Sequence, residues 1–231
     1  MNLQGKKIAV TGAFGSLGLD VALAARKAGA SVACIDRVSA QHVPAALSGA
    51  AIFADVDLST PAAADATFDA VSRKLGGLDA LVNIAGSFRW EKVEDGSIDT
   101  WDFLHNVNVR TAFNASRAAL KFLGKQSSGR IVNIGAAGAI KAGVGMGAYA
   151  ASKAGVAKLT EALAEELKDR HITVNAVLPS IIDTPANRKD MPQAEFDRWV
   201  KPQQVADLIL FLLSDSASAI TGALIPILGR V

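Results

Sequence analysis

The sequence predicts an α/β fold in which one domain contains a doubly wound parallel sheet with helices on both faces. Short apolar segments alternate with segments of helical periodicity along the chain, as in folds built from strand–helix–strand units. The apolar segments are nearly continuous, which is typical of parallel strands buried on both sides. A length of 231 residues suits a single domain with a substantial core.

Six segments are predicted to be strands and five to be helices, in strict alternation. The strands are 6–10, 30–36, 78–86, 129–135, 172–179 and 223–228. The helices are 19–29, 61–76, 98–124, 148–170 and 202–214, and Gly124 is expected to end the third. The segment 180–201 lacks strong periodicity, and loops of this length are typical of functional lids.

Composition argues against several function classes. The net charge of +2 is too small to indicate a surface for nucleic acid. No apolar run approaches the length of a membrane span, and the first ten residues lack the apolar core of a signal peptide. Cys34, the one cysteine, suits a reducing compartment, and the three histidines lack metal-ligand spacing. We therefore expect a soluble cytoplasmic protein without a metal site.

A glycine-rich turn follows the first predicted strand. In "VTGAFGSLG" (10–18) the glycines have the spacing G-x-x-G-x-x-G, which lets the backbone approach a pyrophosphate at a helix N-terminus. A tight turn without a ligand would use the same glycines, but the position directly after the first strand favours a dinucleotide site. The residues predicted to form it are Gly12, Phe14, Gly15, Ser16, Leu17 and Gly18.

Two acidic residues are predicted to contact the adenosine part of a dinucleotide. Asp36 ends the second strand, where a carboxylate accepts hydrogen bonds from ribose hydroxyls and repels a 2′-phosphate. This favours NAD(H), whereas the neighbouring Arg37 is able to hold a phosphate and leaves NADP(H) open. Asp55 is placed for the adenine edge. Ordinary turn roles are the alternatives for both acids.

Tyr149 and Lys153 are four residues apart and therefore share a helix face. A free phenol has a pKa near 10, which a nearby ammonium group lowers by stabilising the phenolate. We therefore predict that Tyr149 donates a proton to a substrate and that Lys153 is its electrostatic partner. For the pair taken alone, a solvated helix face is the alternative.

A series of motifs resembles, in order, that of the short-chain dehydrogenase/reductases: "TGAFGSLG", "ADV" (54–56), "NIAG" (83–86), "NVN" (106–108), "YAASK" and "ITVNAVLPS" (172–180). The resemblance covers essentially the whole chain and implies a Rossmann-like domain that binds NAD(H) or NADP(H). It implies that Asn108 acts with Tyr149 and Lys153 by holding a water that links Lys153 to solvent. It also implies cofactor contacts by Val56, Asn83, Ala85, Gly86, Tyr149, Lys153, Pro179, Ile182 and Thr184, with Lys153 at the nicotinamide ribose.

The serine of that family's catalytic set is missing. Its position, thirteen residues before Tyr149, holds Ala136. The loss of one donor at a developing oxyanion typically costs about two to three orders of magnitude in rate. A conjugated acceptor that spreads the added charge over a ring would suffer less than a simple ketone.

The segment 176–199, "AVLPSIIDTPANRKDMPQAEFDRW", resembles the dihydropteridine reductase-like subgroup, which also lacks the serine. The resemblance implies NADH-dependent reduction of a quinonoid dihydropterin. The residues predicted to line a substrate site are Ala136, Trp90, Asn187 and Trp199. The alternatives are packing under a loop for each tryptophan and capping of a lid helix for Asn187.

Two other functions stay open. The first is a carbonyl or 3-oxoacyl reductase, or an alcohol dehydrogenase, of the same family. The second is a non-catalytic regulator that binds a dinucleotide, which the missing serine favours and the retained Asn108, Tyr149 and Lys153 oppose. The long helices at 98–124 and 148–170 resemble those that pair subunits in this family, so a homodimer or homotetramer is expected.

Overall fold

One parallel sheet of seven strands, in the order β3-β2-β1-β4-β5-β6-β7, forms the centre of the molecule. The computed structural model describes residues 2–123 and 128–231. The strands are β1 Lys7–Thr11, β2 Ser31–Ile35, β3 Ala51–Phe53, β4 Ala80–Asn83, β5 Gly129–Ile134, β6 Ile172–Pro179 and β7 Leu224–Ile227. The helices are α1 Ser16–Lys27, α2 Pro61–Leu75, α3 Ile98–Leu104, α4 Thr111–Leu123, α5 Gly147–Leu167, α6 Pro185–Asp190 and α7 Pro202–Leu213.

Helices cover both faces of the sheet because successive strand residues point to opposite sides. In β1, Ile8 and Val10 belong to the core shared with α1 and α7. Ala9, between them, belongs to the core shared with α2, α4 and α5. The predicted doubly wound parallel sheet is confirmed.

The strand order reverses between β1 and β4, and this leaves a crevice at the carboxyl ends of the two strands. The chain runs outward from β1 to β3 and then returns to β4, on the other side of β1. Thr11, at the end of β1, holds the loop after β4, because its Oγ1 accepts hydrogen bonds from the N–H groups of Ile84 (3.1 Å) and Ala85 (3.2 Å). Open parallel sheets bind ligands in such a crevice.

The sequence did not predict β3. This strand has only three residues and pairs with β2 at the edge of the sheet. Its middle residue, Ile52, is exposed, so the segment is too short to show an apolar periodicity.

The predicted helix 98–124 contains an irregular turn. A π-helical stretch, His105–Arg110, joins α3 to α4 and carries the buried Asn108. Such stretches often occur at functional sites because they change the direction in which a side chain points. Gly124, the predicted end of this helix, lies outside the described residues.

The predicted lid, 180–201, contains α6 and a short 3-10 turn at Phe196–Arg198. The carboxylate of Asp183 accepts hydrogen bonds from Arg188 (2.5 and 2.9 Å) and from Lys201 (2.5 Å). These two cations hold the pKa of Asp183 well below its usual range. The start of the lid is thus bound through Asp183 to Lys201, the residue that precedes α7.

No helix within residues 2–123 or 128–231 combines the length and the apolar character needed to cross a membrane.

Candidate active site

A cavity of about 720 Å³ occupies the crevice at the carboxyl ends of the strands. It reaches from the glycine-rich turn after β1 to Thr184, near the start of the lid segment 180–201. Eleven of the residues predicted to bind a cofactor line it: Gly12, Phe14, Gly15, Ser16, Leu17, Gly18, Asp36, Val56, Ala85, Gly86 and Thr184. In the described part of the chain, no three His, Cys, Asp or Glu side chains are grouped so as to hold a metal ion.

The glycine-rich turn has no room for side chains at two positions. Gly12 has a φ of 66°, and a Cβ atom there would lie 2.8 Å from the backbone nitrogen of Ala85. A Cβ atom at Gly18 would lie 2.1 Å from the carbonyl oxygen of Gly12. Gly15 precedes α1 and provides no side-chain cap. The first N–H groups of the helix are therefore available to donate hydrogen bonds to an anion in the cavity. The turn therefore fits a dinucleotide pyrophosphate.

Asp36 is buried at the other side of this turn and fastens it. Its Oδ2 accepts a hydrogen bond from the N–H of Phe14 (2.9 Å), and its Oδ1 accepts one from the N–H of Val38 (3.0 Å). Each carboxylate oxygen can accept a second hydrogen bond. Asp36 also lines the cavity, as the predicted contact with ribose hydroxyls requires.

The residue assigned to the adenine edge has to be corrected. Asp55 is exposed, has a φ of 58°, and its Oδ2 accepts a hydrogen bond from the N–H of Ala40 (3.3 Å) outside the cavity lining. Asp57, two residues later, lines the cavity together with Leu58 and Ser59. Both acids follow β3, and only the path of the backbone decides which of them faces the cavity.

Asn83 also has a different role from the predicted one. Its Nδ2 donates hydrogen bonds to Ser116 Oγ (3.0 Å) and to Asn133 Oδ1 (2.9 Å). These contacts are buried, so the amide joins β4 to β5 and α4 and does not line the cavity. Pro179 and Ile182 likewise lie outside the lining: Pro179 is the last residue of β6, and Ile182 pairs with Val200.

Asn108 holds the loop after β4 against α5. Its Oδ1 accepts a hydrogen bond from the N–H of Ser87 (2.9 Å), and its Nδ2 donates to the carbonyl of Ser87 (3.1 Å) and to Ser152 Oγ (2.9 Å). Ser152 in turn donates to the carbonyl of Tyr149 (2.7 Å). Through these bonds the π-helical stretch fixes Tyr149 relative to Gly86 in the cavity wall.

Lys153 lies next to the cavity wall in a buried position. Its Nζ donates a hydrogen bond to the carbonyl of Ile134 (2.8 Å). A Cβ atom at Gly86 would lie 3.4 Å from the same Nζ, which puts the ammonium group directly behind the lining. Burial lowers the pKa of Lys153 to about 8.

Tyr149 is half-buried on the same helix face as Lys153. Burial raises the pKa of Tyr149 to about 12, which is opposite to the lowering predicted from the sequence. Desolvation of the phenolate therefore outweighs any stabilisation by Lys153. The ring of Phe88 meets the Tyr149 ring edge-on, with centroids 4.9 Å apart and an interplanar angle of 82°.

Ala136 occupies the predicted position of the missing serine, two residues after β5. Its side chain is buried and has no polar atom to offer a substrate oxygen. The preceding residue has little room for a side chain, because a Cβ atom at Gly135 would lie 3.1 Å from Leu178 Cγ.

The other three residues predicted to contact substrate have structural partners. Trp199 is only 4% exposed and packs on Phe196, so its assignment to substrate is wrong. Asn187 donates from Nδ2 to the carbonyl of Ile182 (2.7 Å), within the base of the lid. Trp90 is exposed, but its Nε1 donates to the carbonyl of Val144 (2.9 Å) in the loop before α5.

The sequence analysis missed part of the lining. His42 and Val38 follow β2, while Phe103, Asn106 and Val107 come from α3 and the π-helical stretch. Asn106 and Val107 lie in the "NVN" motif, from which the sequence analysis assigned only Asn108. No sequence signal marks His42, Val38 or Phe103, because the elements that bring them to the crevice are distant in the chain.

Three comparisons with known proteins cover nearly the whole chain. The family model described as enoyl-(acyl carrier protein) reductase matches residues 12–229. The chain is 35% identical to a 3-oxoacyl-acyl-carrier-protein reductase of Thermotoga maritima, over 99% of this chain and 98% of that protein.

Two solved structures have the same fold. A short-chain dehydrogenase from Burkholderia cenocepacia in complex with NADP superposes with a TM-score of 0.88 and 34% identity, over 99% of this chain and 98% of that one. NAD+-bound xylitol dehydrogenase superposes with a TM-score of 0.91 and 26% identity, over 99% of this chain and 100% of that one.

The glycine positions give a first prediction. Gly18→Ala is expected to lower the free energy of unfolding by about 3 kcal/mol or more, because its Cβ would overlap a backbone oxygen. Gly15→Ala is the matched control: its Cβ would lie 3.5 Å from the nearest atom, the oxygen of Gly12, an ordinary contact. Urea unfolding without dinucleotide measures both, and equal stabilities would contradict the tight turn.

Tyr149 is the only tyrosine in the chain, so tyrosinate absorbance reports its ionisation alone. We expect the folded protein to keep this phenol protonated above pH 10, with a pKa of about 12. The unfolded chain loses that proton first, so the free energy of unfolding should fall as the pH rises from 10 towards 12. A titration near pH 10 in the folded protein would refute the burial argument.

Proposed function

The chain belongs to the short-chain dehydrogenase/reductase family, and we propose that it reduces the carbonyl group of a small molecule with a nicotinamide dinucleotide. It is an oxidoreductase of that family. The observation that carries the proposal is the position of Lys153 beside Gly86, in the wall of a cavity that also contains the glycine-rich turn. Tyr149 is joined to that wall through Ser152 and Asn108. The 3-oxoacyl reductase and dehydrogenases that the chain resembles support this substrate chemistry.

The chain's own residues provide the proton and its environment. The bound dinucleotide supplies the hydride. Burial keeps the phenol of Tyr149 protonated at neutral pH, so it can donate a hydrogen bond to a carbonyl oxygen and then its proton. The ammonium group of Lys153, four residues further along α5, stabilises the negative charge that develops. Asn108 joins the loop after β4 to α5 by hydrogen bonds. We propose that it also holds the water that links Lys153 to solvent.

For the cofactor we propose NAD(H). The support is the buried carboxylate of Asp36, which is fixed by two backbone N–H groups and lines the cavity. A 2′-phosphate beside it would meet a negative charge that cannot move away. Arg37 also lines the cavity and favours a phosphate, so NADPH belongs in the same assay.

A second candidate is reduction of a quinonoid dihydropterin. The observation that favours it is Ala136, which leaves the site without the hydroxyl that normally assists a carbonyl oxygen. A conjugated pterin ring spreads the added charge and needs that donor less. The lid segment that resembles the dihydropteridine reductase-like subgroup adds support, although Trp199 and Asn187 have structural partners within it.

We also propose that the protein assembles as a homodimer or homotetramer through the helices α3, α4 and α5 and resides in the cytoplasm. Exposed apolar side chains on α3 and α4, Trp101 and Phe113, support subunit pairing. Cys34 is a buried free thiol, which suits a reducing compartment.

The central test is NADH and NADPH oxidation with a panel of ketones, 3-oxoacyl esters and quinonoid dihydropterin. Tyr149→Phe should lower kcat by about 10²–10⁴-fold, because the proton donor is lost, while dinucleotide affinity is retained. Lys153→Met should also lower kcat, whereas Lys158→Met on the exposed side of α5 should not. Tight dinucleotide binding without turnover of any acceptor would instead favour a non-catalytic regulator.

Ala136→Ser separates the two candidate substrates. The added hydroxyl should raise kcat/KM for a simple ketone by about tenfold or more, because it supplies a donor to the oxyanion. It should leave dihydropterin reduction nearly unchanged. Ala137→Ser, in the neighbouring position, is the control. Unchanged activities with both acceptors would show that the missing hydroxyl has no role in substrate choice.

A further inference from the structure

Two loops that adjoin the proposed proton donor carry exposed apolar side chains: one contacts Tyr149, and the other leads into α5. Phe88, in the loop after β4, is 53% exposed, and Val144, in the loop before α5, is 76% exposed. Single exposed apolar residues are common, but a group of them next to a reacting side chain indicates a binding surface.

The position of Phe88 is fixed although most of its ring faces solvent. Both backbone groups of the preceding residue, Ser87, are bound by Asn108 at 2.9 and 3.1 Å. The ring stands edge-on to Tyr149 at 4.9 Å. A large apolar ring held in this way contributes little to the core and presents its free surface next to the phenol.

The loop that carries Val144 is fastened to the loop that carries Phe88. Trp90 donates from Nε1 to the carbonyl of Val144 (2.9 Å), and the N–H of Glu91 donates to the carbonyl of Gly145 (2.9 Å). Gly145 has a φ of 72°, and a Cβ atom there would lie 2.1 Å from Trp90 Cε2. Trp90 is therefore a positioning residue whose ring covers Gly145, and it is not free to stack on a substrate by that face.

One cation beside Phe88 lies over an aromatic ring, and one hydroxyl of the family's usual set is missing. The guanidinium of Arg89, next to Phe88, lies over the ring of Phe103 at 3.9 Å. Ala136 replaces a hydroxyl with a methyl group. The side chains of Phe88 and Val144 offer no hydrogen bonds, so polar ring atoms placed against them would lose hydrogen bonds to water without replacing them.

We infer that Phe88 and Val144 form an apolar subsite that binds the alkyl or aryl substituent of a ketone whose oxygen contacts Tyr149. The inference rests on the proposed function and names its substrate class: an uncharged ketone with an extended apolar group. Phe88 then determines specificity by burying the part of the substrate next to the carbonyl.

The test is kcat/KM for a series of straight-chain 2-ketones from butanone to 2-octanone, with the preferred dinucleotide. In the wild type each added methylene should raise kcat/KM, by up to about fourfold. In Phe88→Ala this dependence should flatten, with a loss of about tenfold or more for 2-octanone and little change for butanone. Phe88→Leu should restore part of the dependence. The control is Ile52→Ala, an exposed apolar residue at the far edge of the sheet.

Several outcomes would overturn the subsite. One is a chain-length dependence that is equal in the wild type and in Phe88→Ala, while Tyr149→Phe is inactive; in that case the proposed reaction stands and the subsite fails. Another is dissociation of an oligomer by Phe88→Ala in size-exclusion chromatography, which would assign the surface to a second copy of the chain.

A binding measurement judges the subsite without turnover. Propiophenone is titrated into the protein with saturating NAD+ and followed by ligand-observed NMR. Binding that Phe88→Ala weakens about tenfold and Ile52→Ala leaves unchanged supports the subsite, even if no carbonyl acceptor is reduced and the proposed reaction fails. Equal binding by the wild type and Phe88→Ala overturns it.

Discussion

The close backbone contact between the turn after β1 and the loop after β4 is the constraint on which the site depends. Gly18 and Gly12 let α1 begin directly against the turn, and Gly12 meets Ala85 without a side chain between them. Thr11 then holds Ile84 and Ala85 by its hydroxyl. Because this contact sets where the loop after β4 begins, it also sets the places of the residues that follow and of every group bound to them.

Desolvation decides the electrostatics of the site. It raises the pKa of Tyr149 to about 12 and lowers that of Lys153 to about 8, so each buried group is driven towards its neutral form. Asp36 is buried too, but two backbone N–H groups stabilise its charge. In the reaction that we propose, Ala136 provides no hydroxyl, so the substrate oxygen depends on Tyr149 as its donor and apolar contacts beside Tyr149 have a larger part in substrate choice.

The local patterns predicted most of the fold. Buried strands and amphipathic helices leave periodicities within a few residues of one another, and all eleven predicted elements correspond to elements of the structure. The elements that the patterns missed depend on distant partners. β3 has three residues and exists because it pairs with β2. The π-helical stretch at His105–Arg110 has helical periodicity on both sides and is visible only from its hydrogen bonds.

The sequence by itself determined the glycine-rich turn, the shared helix face of Tyr149 and Lys153, and the missing hydroxyl at Ala136. These features depend on the spacing of residues that lie close together in the sequence. Only the tertiary structure decided that Asp57 rather than Asp55 faces the cavity. It also buried Trp199 and left Phe88 exposed beside the phenol. The physical reason is that burial and hydrogen-bond partners arise between segments far apart in the chain, and side chains of the same type acquire different roles when those segments pack.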